Sequence, residues 1–224
     1  MHSPENLAWL EASLHLLRSF ADSGGQRVVI AGTCFEYDWD YGFCRESRTP
    51  LNPATLYGTC KHALQTTLAG LSRQTGLSSA WGRIFFLYGP HEHPDRLVSS
   101  VIRSLIKGEE AKCTPGEQIR DFLHVADVAG AFAALLDSEV SGPVNIASGR
   151  PVAVKEVIQT IAAQLGREEL VKLGALPARS GEPHLLVADA ARLEREVQHV
   201  PRYDLAEGLR QTIGWWQRAL APHS

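Results

Sequence analysis

Leu56-Tyr57-Gly58-Thr59-Cys60-Lys61-His62, read together with Ala31-Gly32-Thr33, decides how this chain is to be understood. Tyr57 and Lys61 stand four residues apart. With Pro53 opening a helix, they project from one face, a turn from each other. An ammonium beside a phenol favours the phenolate and pulls a group with a reference pKa of about 10 toward neutrality. Such a tyrosine can pass a proton to or from a carbinol or carbonyl oxygen. Thr33 follows the apolar run Val28-Val29-Ile30, where a strand ends, and its hydroxyl can hold the same oxygen. Tyr-x-x-x-Lys by itself also fits a solvated helix face. Its setting gives it chemical meaning: a strand ending in a hydroxyl residue, a loop, the Tyr/Lys helix, then the strand Ser79 to Phe86.

Outward from that core, Leu7, Leu10, Leu14, Leu17 and Phe20 recur with a helical period, predicting a helix from Asn6 to Asp22 that stops at Gly24-Gly25. Arg27 to Gly32 reads as a buried parallel strand. Tyr37 to Pro53, rich in aromatics, acids and glycine, reads as an active-site loop. The Tyr/Lys helix is expected from about Ala54 to Gln74, and the next strand from Ser79 to Leu87. Helices are expected over Leu97–Ile106, Ala126–Leu136, Val154–Leu165 and Leu205–Leu220. A short strand is expected at Pro143–Ile146, and Arg179 to Pro183 reads as a loop. Helices alternating with such strands imply a parallel α/β sheet.

The chain has 224 residues, 44% hydrophobic and 21% charged, which is the composition of a globular protein of one large or two small domains. A formal net charge of −3 without a basic cluster argues against nucleic-acid binding. With no apolar run near membrane-spanning length and no leader pattern, a cytoplasmic protein is expected. Cys34, Cys44, Cys60 and Cys113 lack paired metal-ligand spacing and read as reduced thiols. His91-Glu92-His93 reads as a polar loop, so no metal is expected.

Five blocks now stand in order: Ala31-Gly32-Thr33-x-x-x-Tyr37, Tyr57-x-x-x-Lys61, Arg83-x-Phe85-x-x-Tyr88-Gly89-Pro90, Gln118-x-Arg120-Asp121-Phe122-x-His124-Val125-x-Asp127-Val128-Ala129, and Asn145-Ile146-x-Ser148-Gly149. In these the chain resembles the extended short-chain dehydrogenase/reductases, specifically the NAD-dependent epimerase/dehydratases of nucleotide-linked sugars, essentially from end to end. The resemblance implies a doubly wound parallel sheet, a partial NAD(P)-binding Rossmann domain, with a smaller C-terminal α+β substrate lobe. It places the catalytic half of the Rossmann domain in residues 1–90 and mainly the substrate lobe in 91–224, with segments near 120–149 returning to the Rossmann domain. It implies catalysis by Thr33, Tyr57 and Lys61, and cofactor contacts from Ala31, Gly32, Tyr57 and Lys61 to NAD or NADP. Substrate contacts are implied for Phe86, Tyr88, Arg120 and Arg179, the two arginines forking onto a diphosphate. A homodimer through the helices near 6–22 and 54–74 is implied as well.

The departures narrow these expectations. None of the 19 glycines forms the Gly-x-x-Gly-x-x-Gly turn that holds a dinucleotide pyrophosphate, and Met1 falls beyond the family's fourth strand. The chain is therefore expected to lack the family's first third, as a fragment or as a natural short form. Where the sugar 4,6-dehydratases follow the hydroxyl residue with Asp-Glu, this chain has Cys34-Phe35. Glu36 lies one place on, facing the other way, so dehydration is not expected. Phe86 replaces an asparagine that touches the sugar-nucleotide in relatives, and Trp9 replaces a buried asparagine. Arg120 and Arg179 also fit ion pairs, Arg120 with the adjacent helix and Arg179 with Glu182. Asp121 is expected to brace a turn and His124 to be structural. Two functions stay open: 4-keto reduction or epimerisation of a nucleotide-linked sugar, or a non-catalytic remnant that binds sugar-nucleotide or pairs with a longer relative.

Overall fold

A computed structural model describes residues 3–178 and 181–221. In chain order the elements are α1 (Glu5–Asp22), β1 (Arg27–Thr33), β2 (Phe43–Cys44), α2 (Leu56–Thr75), β3 (Ser78–Ile84) and β4 (Phe86–Tyr88). There follow α3 (Leu97–Ile106), β5 (Ala111–Lys112), β6 (Ile119–His124), α4 (Val125–Asp137), β7 (Gly142–Ile146) and β8 (Pro151–Ala153). The chain ends with α5 (Val154–Leu165), β9 (Val171–Lys172), β10 (Leu185–Ala188), α6 (Ala191–Arg195) and α7 (Leu205–Ala219). Two compact units form, the first from Met1–Phe85, Ala129–Ala147 and Ala188–Val200, the second from Phe86–Val128, Ser148–Val187 and Pro201–Ser224.

The first unit is built on a parallel sheet in the order β1-β3-β7, with Ala31 opposite Gly82 and Arg83 opposite Asn145. Helices cover both faces, as expected for a doubly wound sheet. On one face Leu17 of α1, Leu64 and Leu68 of α2 and Trp81 of β3 are buried together, with Val28 and Ile30 of β1 against them. On the other, α4 comes so close that a Cβ at Gly82 would lie 2.6 Å from the Phe132 ring, which would have to shift to admit it. Arg27 ties the start of β1 to the end of α4, donating to the Leu135 and Leu136 carbonyls at 2.7 and 2.8 Å. The outer edge of β7 is capped by side chains: the Glu46 carboxylate accepts the Asn145 N–H at 2.8 Å, and the Arg192 guanidinium donates to the Pro143 and Ser141 carbonyls. Such caps blunt an edge against pairing. Helix α1 keeps only Leu17 fully buried and leaves Leu7, Trp9 and Leu16 exposed.

Two expected boundaries shift. Pro53 does not open α2; the helix begins at Leu56, because the Thr55 hydroxyl accepts the Gly58 N–H at 3.1 Å and caps it there. Tyr57 and Lys61 stay within the first turns. The strand expected to run to Leu87 breaks at Phe85 into β3 and β4.

In the second unit β4 and β10 flank β6 in parallel, while β8 runs antiparallel to it. Helices α3, α5 and α7 bury Val101, Ile102, Leu105, Val157, Ile158, Ile161, Leu209 and Ile213 in one core. Asp121 braces the turn after β7, accepting from the Ser148 N–H and hydroxyl and from the Gly149 N–H at 2.6 to 3.0 Å. His124 ends β6, buried against the Tyr88 and Tyr203 rings, with Nδ1 accepting the Ala126 N–H. Burial holds its imidazole below the ordinary value, partly offset by the Asp127 carboxylate. The folded state thus prefers neutral His124. Its contribution is complete above the unfolded value of about 6.5 and is lost as pH falls toward the lowered native value. Urea midpoints should therefore drop as pH is taken from neutral to mildly acidic, and less so in His124→Gln. Equal pH slopes for the two proteins would refute this.

Candidate active site

The site is assembled at the C-terminal end of β1. Glycine is required at 32, since a Cβ there would sit 2.0 Å from the Trp81 indole nitrogen and 2.7 Å from the Glu36 carboxylate. Thr33 follows, nearly buried, and caps a single 3-10 turn at Cys34–Glu36: its hydroxyl accepts the Phe35 N–H while its own N–H donates to Glu36 Oε1 at 2.8 Å. Glu36 is wholly buried. It also accepts from Trp81 Nε1 at 2.9 Å and from Arg83 Nε at 2.8 Å. Arg83 donates onward to the Tyr37 hydroxyl, with its guanidinium over the Tyr37 ring, and Tyr37 donates to Asn145 Oδ1 at 2.7 Å. The Asn145 amide closes the chain on the Cys44 and Asp189 carbonyls. This network fixes the loop expected to line the site.

Helix α2 presses against that turn. A Cβ at Gly58 would meet the Phe35 carbonyl oxygen at 2.2 Å, so glycine beside Tyr57 lets the two backbones touch. The Tyr57 ring lies 6.3 Å from the Phe35 ring, edge to face, and Phe35 in turn lies 4.9 Å from Trp39. Lys61 reaches across to donate to the Ala31 carbonyl at 3.0 Å. Partial burial pulls its ammonium below the ordinary lysine value, and the Glu36 charge works against that fall. Thr33, Tyr57 and Lys61 are thus gathered around one strand end, with Ala31 and Gly32 beneath them.

Tyr57, Cys60 and Lys61 open with Asn6, Trp9 and Ser13 of α1 on a cavity of about 320 Å³. That lining offers one cation, a phenol, an amide, a hydroxyl and an indole but no carboxylate. Such a set can hydrogen-bond a small polar ligand. Cys34 and Cys60 are buried small side chains.

Phe86, Tyr88 and Arg120 lie in the second unit. Arg120 is buried with its guanidinium over the Phe86 ring, donating to the Ile119 carbonyl at 2.8 Å and to Glu182 Oε1 at 2.9 Å. It is ion-paired with Glu182, which the sequence pairs with Arg179. Arg179 lies outside the described residues. Tyr88 is buried, its ring against Phe122 and His124 and its hydroxyl 3.4 Å from the Leu205 carbonyl. Burial, with Asp127 and Asp204 nearby, holds its phenol protonated far beyond the usual range. Glu92 accepts from the Ser99 N–H and hydroxyl, and the His91 ring packs on Trp215. Among the described residues no group of three or more His, Cys, Asp or Glu side chains could hold a metal ion, and no helix is long and apolar enough to cross a membrane. Glu36, the hub of this site, is what the sequence leaves unassigned; its pairing with Arg83 spans 47 residues, beyond any local pattern.

Residues 2–147 match the model of the NAD dependent epimerase/dehydratase family. Among curated proteins, the chain is 28% identical over 229 residues to a UDP-glucose 4-epimerase of Azospirillum brasilense, covering 93% of this chain and 65% of that protein. It is 26% identical over 183 residues to a dTDP-6-deoxy-L-talose 4-dehydrogenase (NAD(+)) of Aggregatibacter actinomycetemcomitans, covering 79% and 66%. Among solved structures, MoeE5 in complex with UDP-glucose and NAD superposes with a TM-score of 0.84 at 30% identity, covering 94% of this chain and 71% of that one. A UDP-N-acetylglucosamine 4-epimerase from Methanobrevibacter ruminantium M1 superposes with a TM-score of 0.88 at 22% identity, a likeness of fold. The chain spans 41% of the length of a UDP-glucuronic acid decarboxylase 1 of Xenopus tropicalis and 66% of a dTDP-glucose 4,6-dehydratase of Streptomyces griseus, two of the curated relatives it matches.

Proposed function

This chain belongs to the NAD-dependent epimerase/dehydratase family, and from that premise we propose that it carries the reacting site of an NAD(P)-dependent enzyme working at C4 of a nucleotide-linked sugar, as a 4-keto reductase or a 4-epimerase. One observation carries the reading: Tyr57 and Lys61 open side by side on one cavity while Lys61 is tied to the carbonyl two residues before Thr33. When bound, a nicotinamide supplies or accepts the hydride at the sugar carbon. Tyr57 gives its hydroxyl proton to the sugar oxygen as a ketone becomes a carbinol, and takes it back in oxidation. The Lys61 ammonium steadies the phenolate left behind and offers a donor to a ribose hydroxyl. The Thr33 hydroxyl already accepts from the Phe35 N–H, which leaves its proton to be donated to the reacting oxygen. Arg120 is assigned to the substrate diphosphate, Glu182 being the anion it now holds.

The carboxylate in the turn after Thr33 is consumed by Thr33, Trp81 and Arg83, which counts against dehydration as the reaction. The test is titration with NADH and NADPH, followed by emission of the five tryptophans. One of the two should bind saturably, and Lys61→Ala should weaken it at least about tenfold. A folded wild-type chain whose emission does not change with either nucleotide would overturn the proposal.

A further inference from the structure

The two edges of the first sheet are finished differently. Along β7 the Glu46 carboxylate accepts the Asn145 N–H, and the Arg192 guanidinium donates to the Pro143 and Ser141 carbonyls. Along β1 nothing comparable stands. Among the described residues no strand pairs with its outer side, and no side chain bonds the backbone of Val28, Val29 or Ile30. Toward the site Lys61 donates to the Ala31 carbonyl, so the open stretch stops short of Gly32. Arg27-Val28-Val29-Ile30 also lacks the devices that keep an edge single, having no proline, no acid and no lysine. Its one charge is engaged elsewhere, for Arg27 donates to the Leu135, Leu136 and Val140 carbonyls and to the Ser78 hydroxyl. An extended Val-Val-Ile edge of this kind is a template for a further strand.

Helix α1 says what that strand belongs to. It packs on α2 and, through Leu10 and Leu14, against the cluster that holds Val28 and Ile30. Its other side leaves Leu7, Trp9 and Leu16 exposed at 54%, 72% and 69%. A lone strand added to β1 would leave these three in water, whereas a second copy of this chain brings an α1 of its own. We propose that two copies join along β1, antiparallel about Val29, with Val28 opposite Ile30 of the other copy and α1 against α1. A two-fold axis perpendicular to the sheet keeps both α1 helices on one face. It also brings no like charges together, since pairing about Val29 sets Arg27 opposite Ala31. This joint differs from the helix-to-helix pairing that the family resemblance implies, in which β1 stays open, and it does not depend on the role of Tyr57.

The experiment is light scattering and amide hydrogen exchange on the full chain, as wild type, Val29→Lys and Leu16→Glu. Wild type should have the mass of a dimer at micromolar concentration. Those amides of Val28 to Ile30 that do not bond β3 should exchange at least about tenfold more slowly there than after dilution to monomer. Val29→Lys places on the half-buried edge the charge that natural edges use to stay single. It should stay folded by circular dichroism and weaken association at least about tenfold. Leu16→Glu should weaken it as well. A monomeric wild type, open-ended aggregation, or a dimer whose β1 amides exchange as fast as the monomer's would overturn the inference. So would a folded Val29→Lys chain that stays dimeric while Leu16→Glu is monomeric, the result expected of helix-to-helix pairing alone. Should Val29→Lys not fold, the wild-type exchange decides by itself.

Discussion

Glu36→Ala is expected to lower the folding free energy by about 3–5 kcal/mol, the cost of breaking a buried ion pair and stranding its cation. Both partners are out of water, with Arg83 at 1% and Glu36 at 0% side-chain exposure, so the Arg83 guanidinium would be left with a phenol and a ring for company. The Trp81 indole N–H and the Thr33 N–H would lose their acceptor at the same stroke. Urea unfolding followed by circular dichroism reads the effect. Arg83→Ala should cost a similar amount, since it strands the carboxylate instead. The two losses should not add, because either change alone already destroys the pair. A Glu36→Ala protein within about 1 kcal/mol of wild type would show that the network contributes little, and the fixed geometry of the Thr33 turn would need another source.

Tyr57→Phe removes a single oxygen and should do the reverse, stopping turnover at a small cost in stability. The ring remains to pack against Phe35 and to line the cavity with Lys61, so the loss of stability should stay within about 1.5 kcal/mol and binding of dinucleotide should be nearly unchanged. What goes is the proton. A positioned acid–base group is worth about 10²- to 10⁴-fold, and kcat should fall by that much on whichever sugar the wild type accepts, with KM little altered. A Tyr57→Phe protein that keeps more than about a tenth of wild-type kcat would remove Tyr57 from the chemistry. Paired with Glu36→Ala, this substitution separates the group that reacts from the group that holds the site in place.

How much was legible in the sequence depended on periodicity. Helices α3 and α5 fall on the residues their apolar spacing predicts, Leu97–Ile106 and Val154–Leu165, because each buries a continuous stripe in a core. Strand β1 was visible as a β-branched run. Strands β2, β5 and β9, two residues each, carry no readable alternation. The start of α2 was misplaced for a local reason: proline favours a first turn, but Thr55 supplies the oxygen that caps the helix. At the site, Thr33, Tyr57 and Lys61 announced themselves by residue type and order. Glu36 was recognised only as facing away from them. That it is the anchor of the turn follows from Trp81 and Arg83, which reach it from a strand far along the chain. The partner of Arg120 was hidden likewise, Glu182 lying 62 residues on.

The Asn145 amide has a consequence for the order in which this protein can be made. It joins Tyr37, Cys44 and Asp189, so the network that begins at Glu36 is complete only when a segment near the end of the chain has arrived. A polypeptide emerging from the ribosome will have produced β1, α2 and β3 long before Asp189 is available. Until then Glu36 and Arg83 can pair and Asn145 can join Tyr37 and Cys44, but the Asp189 carbonyl is still missing. Contacts of such long sequence separation are slow to form and leave early segments waiting in a partly assembled state. The first unit is therefore finished late in synthesis, and a chain stopped before Asp189 would have its chemical residues in place without the last contact of the network.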